Sequence, residues 1–483
     1  MAGMDRRRFL KTAGMAGGAA LILPRLTGCQ YAPPVGIPSG TDRLLDHAGR
    51  DCPITHVVVV MMENRSFDHY LGWMATDEDF LETGRSRYGD LFHVVGSQQE
   101  TYTGPNGDVT TQRLVTDPDH SNPWRGCGFG DPGHSWNAGR AQRDRGFLGT
   151  GTGNDELAIG FYERGDLPFS AHLAQRFTAL DHSHASVLGP TYPNRAYLHS
   201  GQSGGLKNNS VPSGGYSWRN IWHQLGDLGV PARNYYSDLP FVALFGSTML
   251  PFLAPITRYY EDCAAGTLPN VTFVEPTYLG ANQEDDHPLA DVRAGQRFLQ
   301  RVFKAFVESP HWESGLFIVT YDEWGGFFDH VAPPRLADDR ASSNDADDFG
   351  QAGFRLPTVL ASPYCLPGFV DHRVYDHTSI LRFLQWRFMG TAAEGPGLPT
   401  STWFLTERNR RAQNIAGSLA FDIQDADLGF DIDGLDIDPP SAACGAEEAA
   451  ALDAARAAAG PSTFQTTLDS GIFEQVGAPL YVS

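Results

Sequence analysis

Two runs of apolar, largely β-branched residues constrain the fold more than anything else in the chain: Val57-Val58-Val59-Val60-Met61-Met62 and Leu316-Phe317-Ile318-Val319-Thr320-Tyr321. Neither run alternates with polar residues. Each therefore reads as a strand buried on both faces, which is the mark of a largely parallel sheet covered by helices on either side. Further strands are predicted at Phe177–His182, Val230–Tyr236, Val271–Val274 and Pro357–Ser362. Helices are predicted between them at Phe169–Gln175, Pro193–Ser200, Ser217–Leu228, Asp291–Glu308 and Thr378–Met389. The helix from Asp291 is the clearest, because Val292, Phe298, Leu299, Val302, Phe303 and Phe306 share one face at helical spacing. The alternation predicts an α/β fold, a three-layer sandwich with a largely parallel central sheet.

A chain of 483 residues is long enough for one large α/β domain with insertions. The stretch Thr101–Asn154, rich in Gly, Asp, Asn and Thr, reads as an excursion over the strand ends with little regular structure of its own. No apolar run reaches the roughly 18 to 20 residues of a bilayer-spanning helix, which excludes a polytopic membrane protein. With 57 acidic against 36 basic residues the formal charge is -21, which opposes nucleic acid as a partner and favours zwitterionic over anionic membrane surfaces. The cysteines are Cys29, Cys52, Cys127, Cys263, Cys365 and Cys444, with no C-x-x-C spacing to suggest a zinc site, and their spacing does not fix a pairing.

The two ends differ from the middle. Residues Asp5–Lys11 read D-R-R-R-F-L-K and precede a small-residue apolar stretch ending at Leu23, which resembles a twin-arginine export signal over residues 1–28. Leu26-Thr27-Gly28-Cys29 resembles a lipoprotein box that would lipidate Cys29, while cleavage to a soluble exported protein fits the same segment. A tether over 29–50, Pro-rich at Tyr31–Ser39, suits either outcome. The expectation is a protein that engages the twin-arginine machinery and ends in the cell envelope or secreted. Residues 401–483 read as an acidic and Ala-rich C-terminal extension. In it Asp422–Asp438 is expected to be a solvated surface, since D-I-D-G-L-D lacks the distal Glu of a calcium loop, and Ala446–Ala459 is expected to be helical.

The chemistry lies at the ends of the two buried runs. Glu63-Asn64 follows the first and Asp322-Glu323 the second, and in an open parallel sheet ligands bind beyond the carboxyl ends of strands. Three carboxylates and an amide oxygen brought together there suit a hard or borderline divalent cation, whose identity the ligand types leave open.

The segments around these pairs carry a resemblance. E-N-R-S-F-D-H-Y-L-G at Glu63–Gly72, T-Y-P-N-R at Thr191–Arg195, E-D-D-H-P at Glu284–Pro288, D-E-W-G-G-F-F-D-H-V at Asp322–Val331 and G-F-R-L-P at Gly353–Pro357 resemble the phosphoesterase family of bacterial phospholipases C and acid phosphatases. The resemblance spans roughly residues 54 to 390. It implies an alkaline-phosphatase-like fold and a metal-dependent phosphoesterase domain over 51–400. It further implies metal ligands at Glu63, Asn64, Asp322 and Glu323, with Thr191 as the nucleophile that also touches the metal. A threonine hydroxyl is a weak nucleophile at neutral pH, and a neighbouring cation that stabilises its alkoxide removes that obstacle. Pro193 suits the first turn of a helix, whose N–H groups can hold phosphoryl oxygens.

His134, in D-P-G-H-S-W, and His287, in D-D-H-P, lie in loops from which an imidazole can contact the phosphoryl group or protonate the leaving oxygen. His330 is expected to fix the loop that presents Asp322 and Glu323. Arg195 is read as structural, and Thr378 or Ser379 as a helix cap. The leading expectation is a phospholipase C that cleaves phosphatidylcholine-type lipids through a phosphothreonine intermediate. The alternatives are an acid phosphatase acting on monoesters and a non-catalytic envelope protein that binds a phosphorylated ligand.

Overall fold

The structure, a computed structural model, describes residues 40–116, 122–280, 282–389, 403–441, 444 and 462–481. The export signal, Cys29 and the Ala446–Ala459 stretch lie outside the described residues. Eight strands form the central sheet: β1 (His56–Met62), β2 (Thr178–Leu180), β3 (Ala232–Tyr236), β4 (Leu253–Pro255), β5 (Val271–Glu275), β6 (Gly315–Tyr321), β7 (Thr358–Ala361) and β8 (Val370–Asp371). Their order is β8-β2-β7-β6-β1-β5-β3-β4. Only β7 runs against the rest. The expected α/β sandwich with a largely parallel sheet is thus what the chain forms, and the two apolar runs lie side by side at its centre.

The pairing register shows why both faces of the central strands are apolar. Val58 pairs with Phe317 on β6 and Val59 with Phe273 on β5, so the two phenylalanines point to opposite faces of the sheet. Phe317 meets Phe303 and Phe306 of the helix Val292–Val307. Phe273 meets His199 of the helix Thr191–Ser200 and Trp222 of the helix Ile221–Asp227. One helical layer therefore covers each face, and β1 and β6 are buried along nearly their whole length.

Several expectations need correction. The helix read from Pro193 begins at Thr191, because Pro190 serves as its N-cap and Pro193 occupies the first turn, where a missing N–H costs little. Asp291, Asn220 and Asp376 are N-caps that accept bonds from the turns they precede, so the helices read from Asp291, Ser217 and Thr378 start at Val292, Ile221 and His377. The cap before Thr378 is Asp376, with Ser379 closing the box. The excursion over Thr101–Asn154 carries a hairpin, Thr101–Gly104 with Gly107–Thr110, and a helix, Trp136–Arg145. The short edge strands β4 and β8 and the helix Ile256–Ala265 were not expected at all.

The C-terminal region contributes to the main core wherever it is described. Along 422–438 every Asp side chain is exposed, while Ile432 and Ile437 are buried. Phe464, Ile472, Phe473 and Val476 join the main core. A disulfide links Cys127 to Cys444.

Candidate active site

The in-register pairing of β1 with β6, which ends at Met62 opposite Tyr321, places Glu63-Asn64 directly beside Asp322-Glu323. All four side chains are buried. The backbone N–H of Asp322 donates to the Met62 carbonyl at 3.1 Å, and that of Asn64 donates to Asp322 Oδ1 at 3.0 Å. Glu323 N–H donates to the same Oδ1 at 2.7 Å. The turn is tight. Asn64 has φ 61°, and a Cβ on Gly325, itself at φ 64°, would meet the Asn64 carbonyl oxygen at 2.1 Å. Among the described residues only Asn64, Asp286 and Leu289 are non-glycine residues with positive φ, the first in the oxygen cluster and the other two flanking His287-Pro288.

Arg195 counters the negative charge. Its Nη2 lies 3.1 Å from Glu63 Oε1 and its Nε 3.3 Å from Asp322 Oδ2, while Nη1 donates to the Tyr278 hydroxyl at 2.8 Å. Burial first, and then the charge of Asp322, raises Glu63 and Glu323 well above the ordinary carboxylate range. Three carboxylates against one guanidinium leave two negative charges, which a divalent cation would balance.

The oxygens point to the same conclusion. Glu63 Oε1 is buried and makes no hydrogen bond despite its ion pair. The Asn64 amide has two orientations to choose from. With its NH2 inward it donates to Glu323 Oε1 at 2.8 Å and to Asp322 Oδ1 at 3.1 Å, and its oxygen accepts from His287 Nε2 at 3.3 Å. With its oxygen inward it adds a fourth acceptor beside the carboxylates of Glu323 and Asp322. The donor set of Glu63, Asn64, Asp322 and Glu323 therefore fits a hard or borderline divalent ion.

Thr191 is the first residue of its helix and is 2% exposed, and Arg195 follows it by four residues, so the two share a helix face one turn apart. Since Arg195 grips Glu63 and Asp322, that face looks onto the carboxylates. Asn194 fixes the approach: its Nδ2 donates to the carbonyls of Val187, Gly189 and Pro190, and its Oδ1 accepts from Val187 N–H at 3.0 Å. The T-Y-P-N-R motif thus divides into Thr191 at the helix start, a proline suited to the first turn, an asparagine that holds the entering loop and an arginine that holds the carboxylates.

His134 and His287 also face the carboxylates and Asp131. His134 Nε2 lies 3.9 Å from Glu323 Oε1, and His287 Nε2 lies 3.9 Å from Asp131 Oδ2. His134 Nδ1 donates to the Pro132 carbonyl at 2.8 Å and His287 Nδ1 to the Pro288 carbonyl at 2.9 Å, so both rings turn Nε2 into the cleft. Burial lowers His287 below the usual imidazole range. Asp131 had no signal of its own in the sequence beyond standing three residues before His134. Asp285, within E-D-D-H-P, likewise has no role legible in the sequence, and its carbonyl accepts Glu63 N–H at 2.7 Å.

His330 acts outside the cleft. Its backbone N–H and its Nδ1 both donate to Asp68 Oδ2, at 2.7 and 2.5 Å, and Arg355 bridges Asp68 and Asp329. This network, buried at Asp68, Asp329 and Arg355, ties the loop after β6 to the helix Phe67–Leu71 after β1. His377 has a similar supporting place, with Nε2 donating to the Tyr321 carbonyl at 2.8 Å.

Comparison with known proteins gives the family to which the chain belongs. The Phosphoesterase family profile matches residues 54–389, and the chain belongs to the Phosphoesterase family. Its relatives include non-specific phospholipase C6 of Arabidopsis thaliana, 31% identical, with the match covering 68% of this chain and 66% of that protein. Phospholipase C B of Mycobacterium tuberculosis is 29% identical over 80% of this chain and 81% of the relative. The chain spans about two thirds of the length of the plant relative. Among solved structures, an alkaline-phosphatase-superfamily protein from Vibrio parahaemolyticus aligns over 76% of this chain and 73% of its own, with 10% identity and a TM-score of 0.33.

Proposed function

We propose that the chain is a metal-dependent phospholipase C that cleaves phosphatidylcholine-type lipids to diacylglycerol and a phosphorylated head group, with Thr191 as nucleophile. The observation that carries this is a buried four-residue oxygen cluster, two positive charges short of neutrality, held by Arg195 one helical turn after Thr191. Glu63, Asn64, Asp322 and Glu323 would hold the cation. When bound, a divalent cation supplies positive charge that stabilises a deprotonated hydroxyl and the phosphoryl oxygens.

The chain's own residues do the rest. Arg195 keeps Glu63 and Asp322 in place, and the helix start offers the Thr191 backbone N–H and the helix dipole to the phosphoryl oxygens. The Thr191 oxygen attacks phosphorus in line, the diacylglycerol oxygen leaves, and water then cleaves the phosphothreonine. His134 and His287 keep Nδ1 protonated against backbone carbonyls, so Nε2 is the atom that takes a proton from the hydroxyl or the water and returns it to the leaving oxygen.

The phospholipase C names of the relatives support a diester substrate, and the acid phosphatase reading stands second. Export through the twin-arginine pathway belongs to the same proposal. It is supported by the signal-like residues Asp5–Lys11 and by the Cys127–Cys444 bond, since disulfides persist in oxidising compartments. The test is turnover of phosphatidylcholine and of p-nitrophenyl phosphate by metal-replete wild type and Thr191→Ala. Diacylglycerol release that the substitution abolishes is the expected result. Monoester turnover alone moves the assignment to a phosphatase, and full activity in Thr191→Ala overturns the nucleophile.

A further inference from the structure

The helix Thr463–Asp469 lies well beyond residues 54–389, yet it touches the helix of Thr191 at several independent points. Thr467 Oγ1 and the Tyr192 hydroxyl are 2.7 Å apart, and that hydroxyl also donates to the Thr463 carbonyl at 3.4 Å. Asn209 joins the two elements: its Oδ1 accepts the backbone N–H of Tyr192 at 2.9 Å, and its Nδ2 donates to Thr463 Oγ1 at 2.8 Å. Phe464 packs edge-on against Tyr192 and stacks on Tyr278, with centroids 3.9 Å apart and planes 10° from parallel. Tyr278 accepts from Arg195 Nη1, and the guanidinium carbon lies 5.0 Å from the Tyr278 ring and 5.6 Å from that of Phe464.

We propose that this C-terminal helix is part of the active-site architecture, with Phe464, Thr467 and Asn209 as positioning residues. Two routes reach the chemistry. Through Asn209 the helix holds the backbone N–H of Tyr192, the residue next to Thr191, and through Thr467 it holds the Tyr192 hydroxyl. Through Phe464 and Tyr278 it fixes the plane of Arg195, and so the spacing of Glu63 and Asp322. A cover over apolar core has no need of hydrogen bonds to the first turn of one particular helix, nor of a ring stacked on the partner of a buried arginine. Misplacing a reacting group by about 1 Å can cost on the order of a hundredfold in rate. Groups that orient metal ligands are typically worth about 10- to 100-fold in affinity or activity.

The inference rests on the nucleophile and cation reading above, so its test has a readout apart from turnover. Thr467→Val, Thr467→Ser, Phe464→Leu and Asn209→Ala in the full-length chain are compared for kcat, KM, Tm and manganese affinity by calorimetry. Thr467→Val and Asn209→Ala are expected to lower kcat about tenfold with KM within about twofold, and Thr467→Ser, which keeps the hydroxyl, to restore most of it. Phe464→Leu is expected to weaken manganese binding about tenfold at temperatures where it is fully folded. Variants that lose only Tm, with wild-type kcat and manganese affinity while folded, overturn the proposal. If Thr191→Ala stays active, the nucleophile reading fails, and the manganese affinity of Phe464→Leu still decides whether the helix holds Arg195. A chain that turns over no ester leaves that same binding measurement to decide.

Discussion

Arg195 carries more of the site than any other single residue. It is always charged, its flat fork spans Glu63 and Asp322, and it stacks on Tyr278. Arg195→Lys keeps the charge but cannot reach both carboxylates and the tyrosine hydroxyl at once. It is expected to lower cation affinity and kcat by about 10- to 100-fold, checked by calorimetry and by initial rates under saturating metal. His330 makes the opposite kind of contribution. Burial pulls its imidazole down, and the hydrogen bond and charge of Asp68 outweigh that and raise it. A raised folded-state value means the protonated ring is favoured by folding. The stability it gives is therefore fully present below the unfolded value of about 6.5 and is lost as pH rises through the folded value. The Tm gap between wild type and His330→Gln should be widest near pH 6 and close toward pH 9. A gap that widens with rising pH would mean that Asp68 does not hold a charged ring.

At the scale of elements, the site is made by two strand ends and one helix start, and each was legible to a different degree. The apolar runs predicted β1 and β6 because strands buried on both faces need no polar alternation. The residues just past them predicted the oxygen cluster because turns at strand ends are where polar groups gather. The helix of Thr191 was placed two residues late, since proline marks a first turn but does not say which of its residues opens it. Asp131, Tyr278 and Phe464 were not legible: an aspartate in a loop and two aromatics far apart in sequence carry no periodicity, and only the folded chain brings them to the cleft. Gly325 gives the element-scale test. At φ 64°, with its missing Cβ 2.1 Å from the Asn64 carbonyl, it lets the loop after β6 close over the turn after β1. Gly325→Ala should force that pair of turns apart, costing about 1–3 kcal/mol in urea unfolding and most of the cation affinity. Near-normal cation binding would show that the close approach is incidental.

At the scale of the whole molecule, the site draws on segments that the sequence assigns to a loop excursion and to a tail. Cys127 lies in the excursion four residues before Asp131 and seven before His134, and its partner Cys444 lies in the C-terminal region, 317 residues away. The same region comes near the cleft again through Phe464, whose ring lies 5.6 Å from the Arg195 guanidinium carbon. A bond that closes so long a loop constrains the unfolded chain strongly, on the order of 5 kcal/mol in the chain-entropy view. Among the described residues the remaining cysteines, Cys52, Cys263 and Cys365, are buried thiols, and burial pushes Cys52 up to about 11 and Cys263 and Cys365 up to about 12. They are therefore poor nucleophiles for disulfide exchange, and a mild reductant should act on the Cys127–Cys444 bond alone. Two effects are expected on reduction or in Cys127→Ser: a fall in Tm of several degrees, and a loss of turnover at temperatures well below the new Tm as the loop bearing Asp131 and His134 loosens. The second effect separates a bond that only stabilises from one that also holds the cleft. Unchanged kcat in the folded, reduced enzyme would assign the bond to stability alone, whereas a fall in kcat matched by reoxidation would assign it to the placement of His134.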